Sequence, residues 1–306
     1  MKIAARSDDA FETLLERFLG HYRDHLFNPH WGEQARVTGD NRLTISMVFQ
    51  GIKEGDAHAA WKDFVAFVEA DPRAYDIEMP LRISSGPARY SWNPAVLDKF
   101  APGKVAHDDR PGAPASNWWW KGDGKQAGAM WHGYQSLWLP AALIEPQARA
   151  ALARSWFAAS RYWDVAFHFN KGLAGADPAT IAASRDTSMN PEVLDAFALA
   201  IIACDGPTSY PGQPAPDLGR ARQDARDIVD AMAALRTVAP NAGCYLSECD
   251  YFLDDWRRAS WGRHAPRLDA IKRRVDPDGI FLVHHGVGSE AIPARLTSHA
   301  KEQGGG

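Results

Sequence analysis

The hexapeptide Val165-Ala-Phe-His-Phe-Asn170 alternates strictly: Val165, Phe167 and Phe169 are apolar, while Ala166, His168 and Asn170 are small or polar. A period of two puts the first set on one face of a strand and the second on the other. Arg42–Gly51 repeats the pattern, with Leu43, Ile45, Met47 and Phe49 on one side. Gly128–Pro140 reads as a strand in which His132 and Tyr134 share a side, and Gly243–Glu248 as a short strand in which Tyr245 and Ser247 do. One-sided alternation belongs to antiparallel sheets that bury a single face, whereas parallel sheets show continuous apolar runs. The fold class expected is therefore α+β, a large antiparallel sheet with helices packed on one face.

Helical periodicity lies between these strands. Asp8–Leu26 carries Phe11, Leu14, Leu15, Phe18 and Tyr22 on one stripe behind the capping cluster Ser7-Asp8-Asp9. Ala57–Ala70 shows Trp61, Phe64, Val65 and Val68, and a further helix starts near Pro146, a residue suited to a first turn. Pro191–Cys204, Leu218–Val238 and the basic stretch Asp254–Arg274 read as helices, and Ile280–His285 as a last strand after the turn Asp276-Pro-Asp-Gly279. Residues 102–127, rich in Gly, Pro and Asp and containing Trp118-Trp119-Trp120, read as a functional or partner-facing loop.

At 306 residues, with 45% hydrophobic and 24% charged residues, the composition excludes wholesale disorder. A net charge of −4 gives no electrostatic footprint for nucleic acid. The N-terminus has no apolar signal core and no stretch approaches a membrane span, so a cytoplasmic protein without membrane contact is expected. Three cysteines suit a reducing compartment, and Cys244 and Cys249, of opposite parity on the expected strand, should not bridge. Twelve tryptophans exceed what a core easily absorbs, because each buried indole N–H needs an acceptor; broad aromatic-lined surfaces are expected.

Gly286-Val-Gly-Ser-Glu-Ala291 satisfies a Gly-x-Gly-x-x-Ala pattern, but Pro293 and the 306-residue limit leave no room for the helix and second strand of a dinucleotide fold. His21 and His25 share a helix face, yet the Glu of a zinc-protease motif is missing, so no metal ligands are assigned. A sheet face bearing His, Tyr, Asn and Ser from three strands is the stronger signal of a polar-lined site.

The run Trp261-Gly-Arg-His-Ala-Pro-Arg-Leu-Asp-Ala-Ile-Lys-Arg-Arg-Val-Asp-Pro-Asp-Gly-Ile-Phe281, preceded by Tyr245-Leu-Ser-Glu248, resembles the C-terminal portion of FAD-linked oxidases of the vanillyl-alcohol-oxidase/berberine-bridge-enzyme-like superfamily. His284-His-Gly-Val-Gly-Ser-Glu290, His30-Trp-Gly-Glu33, Met47-Val-Phe-Gln-Gly51, Ser136-Leu-Trp-Leu-Pro140 and Asn170-Lys-Gly-Leu-Ala-Gly175 resemble one branch of it. Ser247 stands where that family usually has Asn, and His264-Ala265 replaces an Asn-aromatic pair.

The resemblance implies a substrate-binding or cap domain over residues 1–240, a berberine-bridge-like segment over 241–292 packing toward an FAD domain, and a flexible tail over 293–306. It implies FAD as cofactor, a small-molecule substrate, and an FAD-binding subunit or domain supplied in trans, since the family's own FAD-binding domain has no counterpart in these residues. Tyr245 takes the position of the catalytic base. His132, Tyr134, His168, Asn170 and Ser247 are expected to contact substrate, and His264, Gly286 and Gly288 the cofactor. The alternative expectation is a non-catalytic ligand-binding or interaction domain derived from such an oxidase.

Overall fold

A computed structural model describes residues 1–124 and 126–291; the expected tail from 293 onward lies outside them. In chain order the elements are β1 (Lys2–Ala5), α1 (Asp8–His21), β2 (Trp31–Thr38), β3 (Arg42–Phe49), α2 (Glu54–Glu69), β4 (Tyr75–Met79), α3 (Pro94–Phe100), β5 (Val105–His107), β6 (Trp118–Trp120) and α4 (Lys121–Gly124). Then follow β7 (Ala129–Pro140), α5 (Pro146–Ser160), β8 (Val165–Phe169), α6 (Pro178–Ser184), β9 (Ala196–Thr208), α7 (Leu218–Arg236), α8 (Trp256–Trp261) and α9 (Ala265–Val275).

Seven strands form one sheet in the order β4-β1-β3-β2-β8-β9-β7, with every neighbouring pair antiparallel. Phe167 and Phe169 of β8 bury the face on which α1, α2, α5 and α7 pack, as the alternation requires. Ser7 caps α1 by accepting the Ala10 N–H at 3.2 Å. The core behind the sheet is aromatic. Phe18 meets Trp61, Phe64, Trp156 and Phe169, and the Trp156 and Phe167 rings stack with centroids 4.0 Å apart and planes 7° from parallel. Burying each such side chain contributes about 1.5–3 kcal/mol.

The tryptophans divide between core and surface. Trp31, Trp61, Trp138, Trp156 and Trp261 are buried, whereas Trp92, Trp119 and Trp131 are exposed. Where the indoles are enclosed, acceptors exist: Trp138 Nε1 donates to the Cys244 carbonyl at 3.0 Å and Trp156 Nε1 to that of Val165 at 3.4 Å.

Four expected elements differ. Pro191–Cys204 is not a helix: Pro191–Leu194 makes a 3-10 turn, and Ala196–Thr208 is β9, paired between β8 and the edge strand β7. Its run from Ala196 to Ile202 is buried throughout, because helices cover one face and a second apolar cluster (Trp138, Val193, Leu194, Ala196, Leu199, Ile201) covers the other. Gly243–Glu248 is extended only at its start and closes in a 3-10 turn at Leu246–Glu248. Asp254–Arg274 is two helices, broken at Gly262, whose φ of 47° favours glycine. Ile280–His285 forms no strand; Asp276 instead accepts the Ile280 N–H at 2.8 Å and the Phe281 N–H at 3.1 Å. The Trp118–Trp120 loop contributes a small two-stranded ribbon, β5 with β6.

Candidate active site

On the face of the sheet away from the four large helices, β2, β8, β9 and β7 floor a cleft of about 190 Å³. Its polar lining comes from Gln34 and Arg36 of β2, His168 of β8, Tyr134 of β7, Asp164 and Glu248, with Trp131 at the rim. Alternation along β8 aims His168 here while Phe167 and Phe169 fill the core.

Burial, assisted by the positive charges of Lys171 and Arg36, lowers His168 to about 4, so its imidazole is neutral near pH 7. Its Nδ1 is buried without a hydrogen-bond partner among the described residues, so a ligand in the cleft would satisfy it. Burial raises Tyr134 to about 12, helped by the negative charge of Glu248 and by a hydrogen bond to that carboxylate. Lys171 Nζ lies 3.8 Å from Glu248 Oε2 and completes a Tyr-carboxylate-Lys row.

Tyr245 sits beside this cleft, not in its lining. It packs with Tyr134 against the second apolar cluster, its ring centroid 6.4 Å from that of Trp138, and its amide donates to Ser136 Oγ at 3.1 Å. Ser247 is exposed on the Leu246–Glu248 turn.

Two expected members of the polar face turn elsewhere. Asn170 lies just past the end of β8 with φ 54°, and its side-chain amide donates to the carbonyls of Asn28, at 2.9 Å, and Trp31. It locks a loop with groups a ligand would otherwise use. His132 does not share a side with Tyr134, because β7 carries an irregularity between Trp131 and Gly133 where two residues oppose one on β9. His132 therefore faces α7, its Nδ1 2.8 Å from Asp224 Oδ2.

The three residues assigned to the cofactor lie in the C-terminal segment. His264 Nδ1 contacts the Met189 carbonyl at 3.1 Å. A Cβ added at Gly286 would come within 2.6 Å of Val283 Cγ2, and one at Gly288, where φ is 81°, within 3.1 Å of the Lys272 stem. His285 next to them stacks on Trp256, with centroids 5.4 Å apart. Phe252, Ile280, Phe281 and Val283 of this segment are exposed.

All three cysteines are free. Cys244 and Cys249 are not bridged, although the strand behind the parity argument gives way to a turn at Leu246–Glu248; the interaction between the two thiols pushes Cys244 up and Cys249 down. His21 and His25 stack on one another with centroids 4.9 Å apart, and no third donor joins them among the described residues. A second, larger groove of about 1160 Å³ lies along the ends of β2 and β3, bounded by Met79–Ser85 and reaching Lys171.

Glu248 is among the cleft members that sequence reasoning passed over, with Gln34, Arg36, Trp131 and Asp164. On a regular strand it would point away from Tyr245, and only the 3-10 turn returns it to Tyr134.

The fold matches a VAO-type flavoprotein of Myceliophthora thermophila C1 with a TM-score of 0.60 at 17% identity, over 95% of this chain and 47% of that one. It also matches glucooligosaccharide oxidase of Acremonium strictum with a TM-score of 0.60 at 14% identity, over 94% and 54%. Residues 244–288 match the family model "Berberine and berberine like". The FAD-linked oxidoreductase ffsJ of Aspergillus flavipes is 38% identical over 76 residues, which is 25% of this chain and 12% of that protein. Fold and motif together make the chain similar to proteins of the vanillyl-alcohol-oxidase/berberine-bridge-like superfamily. It spans about half the length of the solved structures it matches.

Proposed function

We propose that these residues form the substrate-side half of an FAD-dependent oxidoreductase acting on an alcohol or an acidic C–H group, completed by an FAD-binding domain or subunit supplied in trans. The observation that carries the reading is the cleft on the helix-free face of the sheet, where His168 presents a buried ring nitrogen with no partner beside the Tyr134–Glu248 pair. The same face fits a planar, amphipathic flavin ring. It offers a dry floor at Ile201 and Ala203, a neutral imidazole and two phenols, and the exposed apolar residues of the C-terminal segment lie uncovered by the chain itself.

Bound FAD supplies the acceptor for the hydride. The chain's own residues hold the substrate and move its proton. His168, neutral at physiological pH, bonds the reacting hydroxyl through its free nitrogen. Tyr134, its proton held by Glu248, orients the substrate from the opposite side. Tyr245, in the position the family resemblance gives the base, would take up the departing proton as its phenolate. Trp131 at the rim offers a ring face to a sugar or an aromatic substrate. His264, Gly286 and Gly288 belong to the segment that would meet the flavin.

The test is assembly. The chain expressed alone should be colourless and leave added FAD unbound. Co-expressed with its FAD-binding partner, it should purify as a yellow complex that turns over an alcohol substrate. Stoichiometric FAD binding by the lone chain overturns the division of labour. A loaded complex that oxidises no alcohol or acidic C–H substrate favours the non-catalytic alternative.

A further inference from the structure

On the helix-covered face of the sheet, across it from the cleft, three side chains from three elements converge. His132 Nδ1 (β7) lies 2.8 Å from Asp224 Oδ2 (α7), and Cys204 Sγ (β9) lies 3.8 Å from that nitrogen and 3.7 Å from that oxygen. The His132 and Asp224 side chains are 8% and 5% exposed. We propose that His132, Cys204 and Asp224 are a binding site for a zinc-class divalent cation.

The arrangement is wrong for a catalytic relay. A Cys-His-Asp relay uses both ring nitrogens, one for the thiol and one for the carboxylate. Here thiol and carboxylate both address Nδ1. Three donors facing one point are instead the arrangement of a chelate. In a tetrahedral zinc site with the usual bond lengths, neighbouring ligand atoms lie about 3.3–3.6 Å apart. The Cys204 edges of 3.7 and 3.8 Å are close to that spacing. Only the His132–Asp224 edge, a direct hydrogen bond at 2.8 Å, must open, by about half an ångström.

The surroundings support the same assignment. Arg220 Nε donates to Asp224 Oδ1 at 3.0 Å, which fixes the carboxylate and leaves Oδ2 for the shared point, as outer partners of ligating carboxylates do. Gly206 gives the imidazole its place, because any Cβ there would overlap His132 Nε2. A thiolate and an imidazole select zinc over magnesium or calcium, which prefer oxygen. On binding, the thiol proton passes to solvent and the sulfur–metal bond forms, with no change of oxidation state. The fourth position is left to water.

Cobalt(II) is the probe, since a thiolate ligand gives it a charge-transfer band that oxygen and nitrogen ligands do not. After chelator treatment, the folded chain should bind one equivalent of cobalt with that band, and zinc should displace it. Cys204→Ala should abolish the band and His132→Ala should weaken binding at least 100-fold, both variants keeping the wild-type circular dichroism. Arg220→Gln should weaken it about 10- to 100-fold. Absence of stoichiometric binding to the folded wild type overturns the proposal. So does a band that survives in Cys204→Ala, which would move the metal to the Cys244–Cys249 pair.

Discussion

The indole N–H of Trp138 is bonded to the carbonyl of Cys244 at 3.0 Å, and this contact docks the C-terminal segment onto the edge strand β7. Two more bonds extend it: the Trp138 amide donates to the Gly243 carbonyl at 2.9 Å, and the Tyr245 amide to Ser136 Oγ at 3.1 Å. Gly243 is required here, because a Cβ would overlap the Ala259 carbonyl. Tyr245 is thus anchored to β7 through its amide, its ring and the two residues before it. Replacing Ser136 with Ala removes one bond at a cost of about 1 kcal/mol. Turnover of the assembled enzyme should fall while its flavin content stays level; steady-state kinetics with absorbance of bound flavin checks both.

Tyr245→Phe keeps the ring against Trp138 and deletes only the hydroxyl. If Tyr245 moves the substrate proton, turnover should drop by about 10²- to 10⁴-fold with folding unchanged. Unaltered turnover would transfer the role to His168. Under the proposed function His168→Ala should chiefly raise KM, because it removes the unpartnered ring nitrogen that would bond the substrate.

Stability should depend on mild acid. Burial lowers both His21 and His168 from 6.5 to about 4, with His25 and Arg17 adding to the first and Lys171 and Arg36 to the second. Between those limits the unfolded chain binds more protons than the folded one. Stability is therefore full above pH 6.5 and falls as pH drops toward 4, each histidine contributing at most about 1.4 kcal/mol per pH unit. Urea unfolding across this range measures the slope, and His21→Leu, placed among Trp61 and Phe64, should flatten it. An unchanged slope in His21→Leu would exclude His21 as a source.

Trp156→Ala opens the centre of the core, removing the stack on Phe167 and the contact with Phe18. The expected loss is about 3–5 kcal/mol, read as a lower denaturation midpoint.

Much of the architecture is legible from single strands. The alternation in Val165–Phe169 states which face is buried, and Leu43, Ile45, Met47 and Phe49 state it again for β3. β9 is unreadable by the same rule. Ala196-Phe-Ala-Leu-Ala-Ile-Ile202 combines good helix formers with apolar residues at every position, and an inner strand covered on both faces leaves no period to detect. The site shows a similar boundary. His168 and Tyr134 follow from parity, whereas Asn170, His132 and Glu248 depend on a left-handed residue, a strand irregularity and a 3-10 turn. Each of these breaks the period on which the inference rests.

The irregularity in β7 also bears on how the strand tolerates insertion and loss. Gly133 pairs with Cys204 and Trp131 with Asp205, so β7 spends two steps where β9 spends one, and His132 is the surplus residue. Deleting His132 would remove the irregularity between Trp131 and Gly133, leaving the opposite shift between Ala129 and Trp131, with Gly133 still toward Ile228 and both Trp131 and Tyr134 still on the cleft. The wall of the cleft and the contact with α7 are therefore separable at a single codon. Such a deletion would remove the His132–Asp224 connection while keeping the residues that wall the cleft.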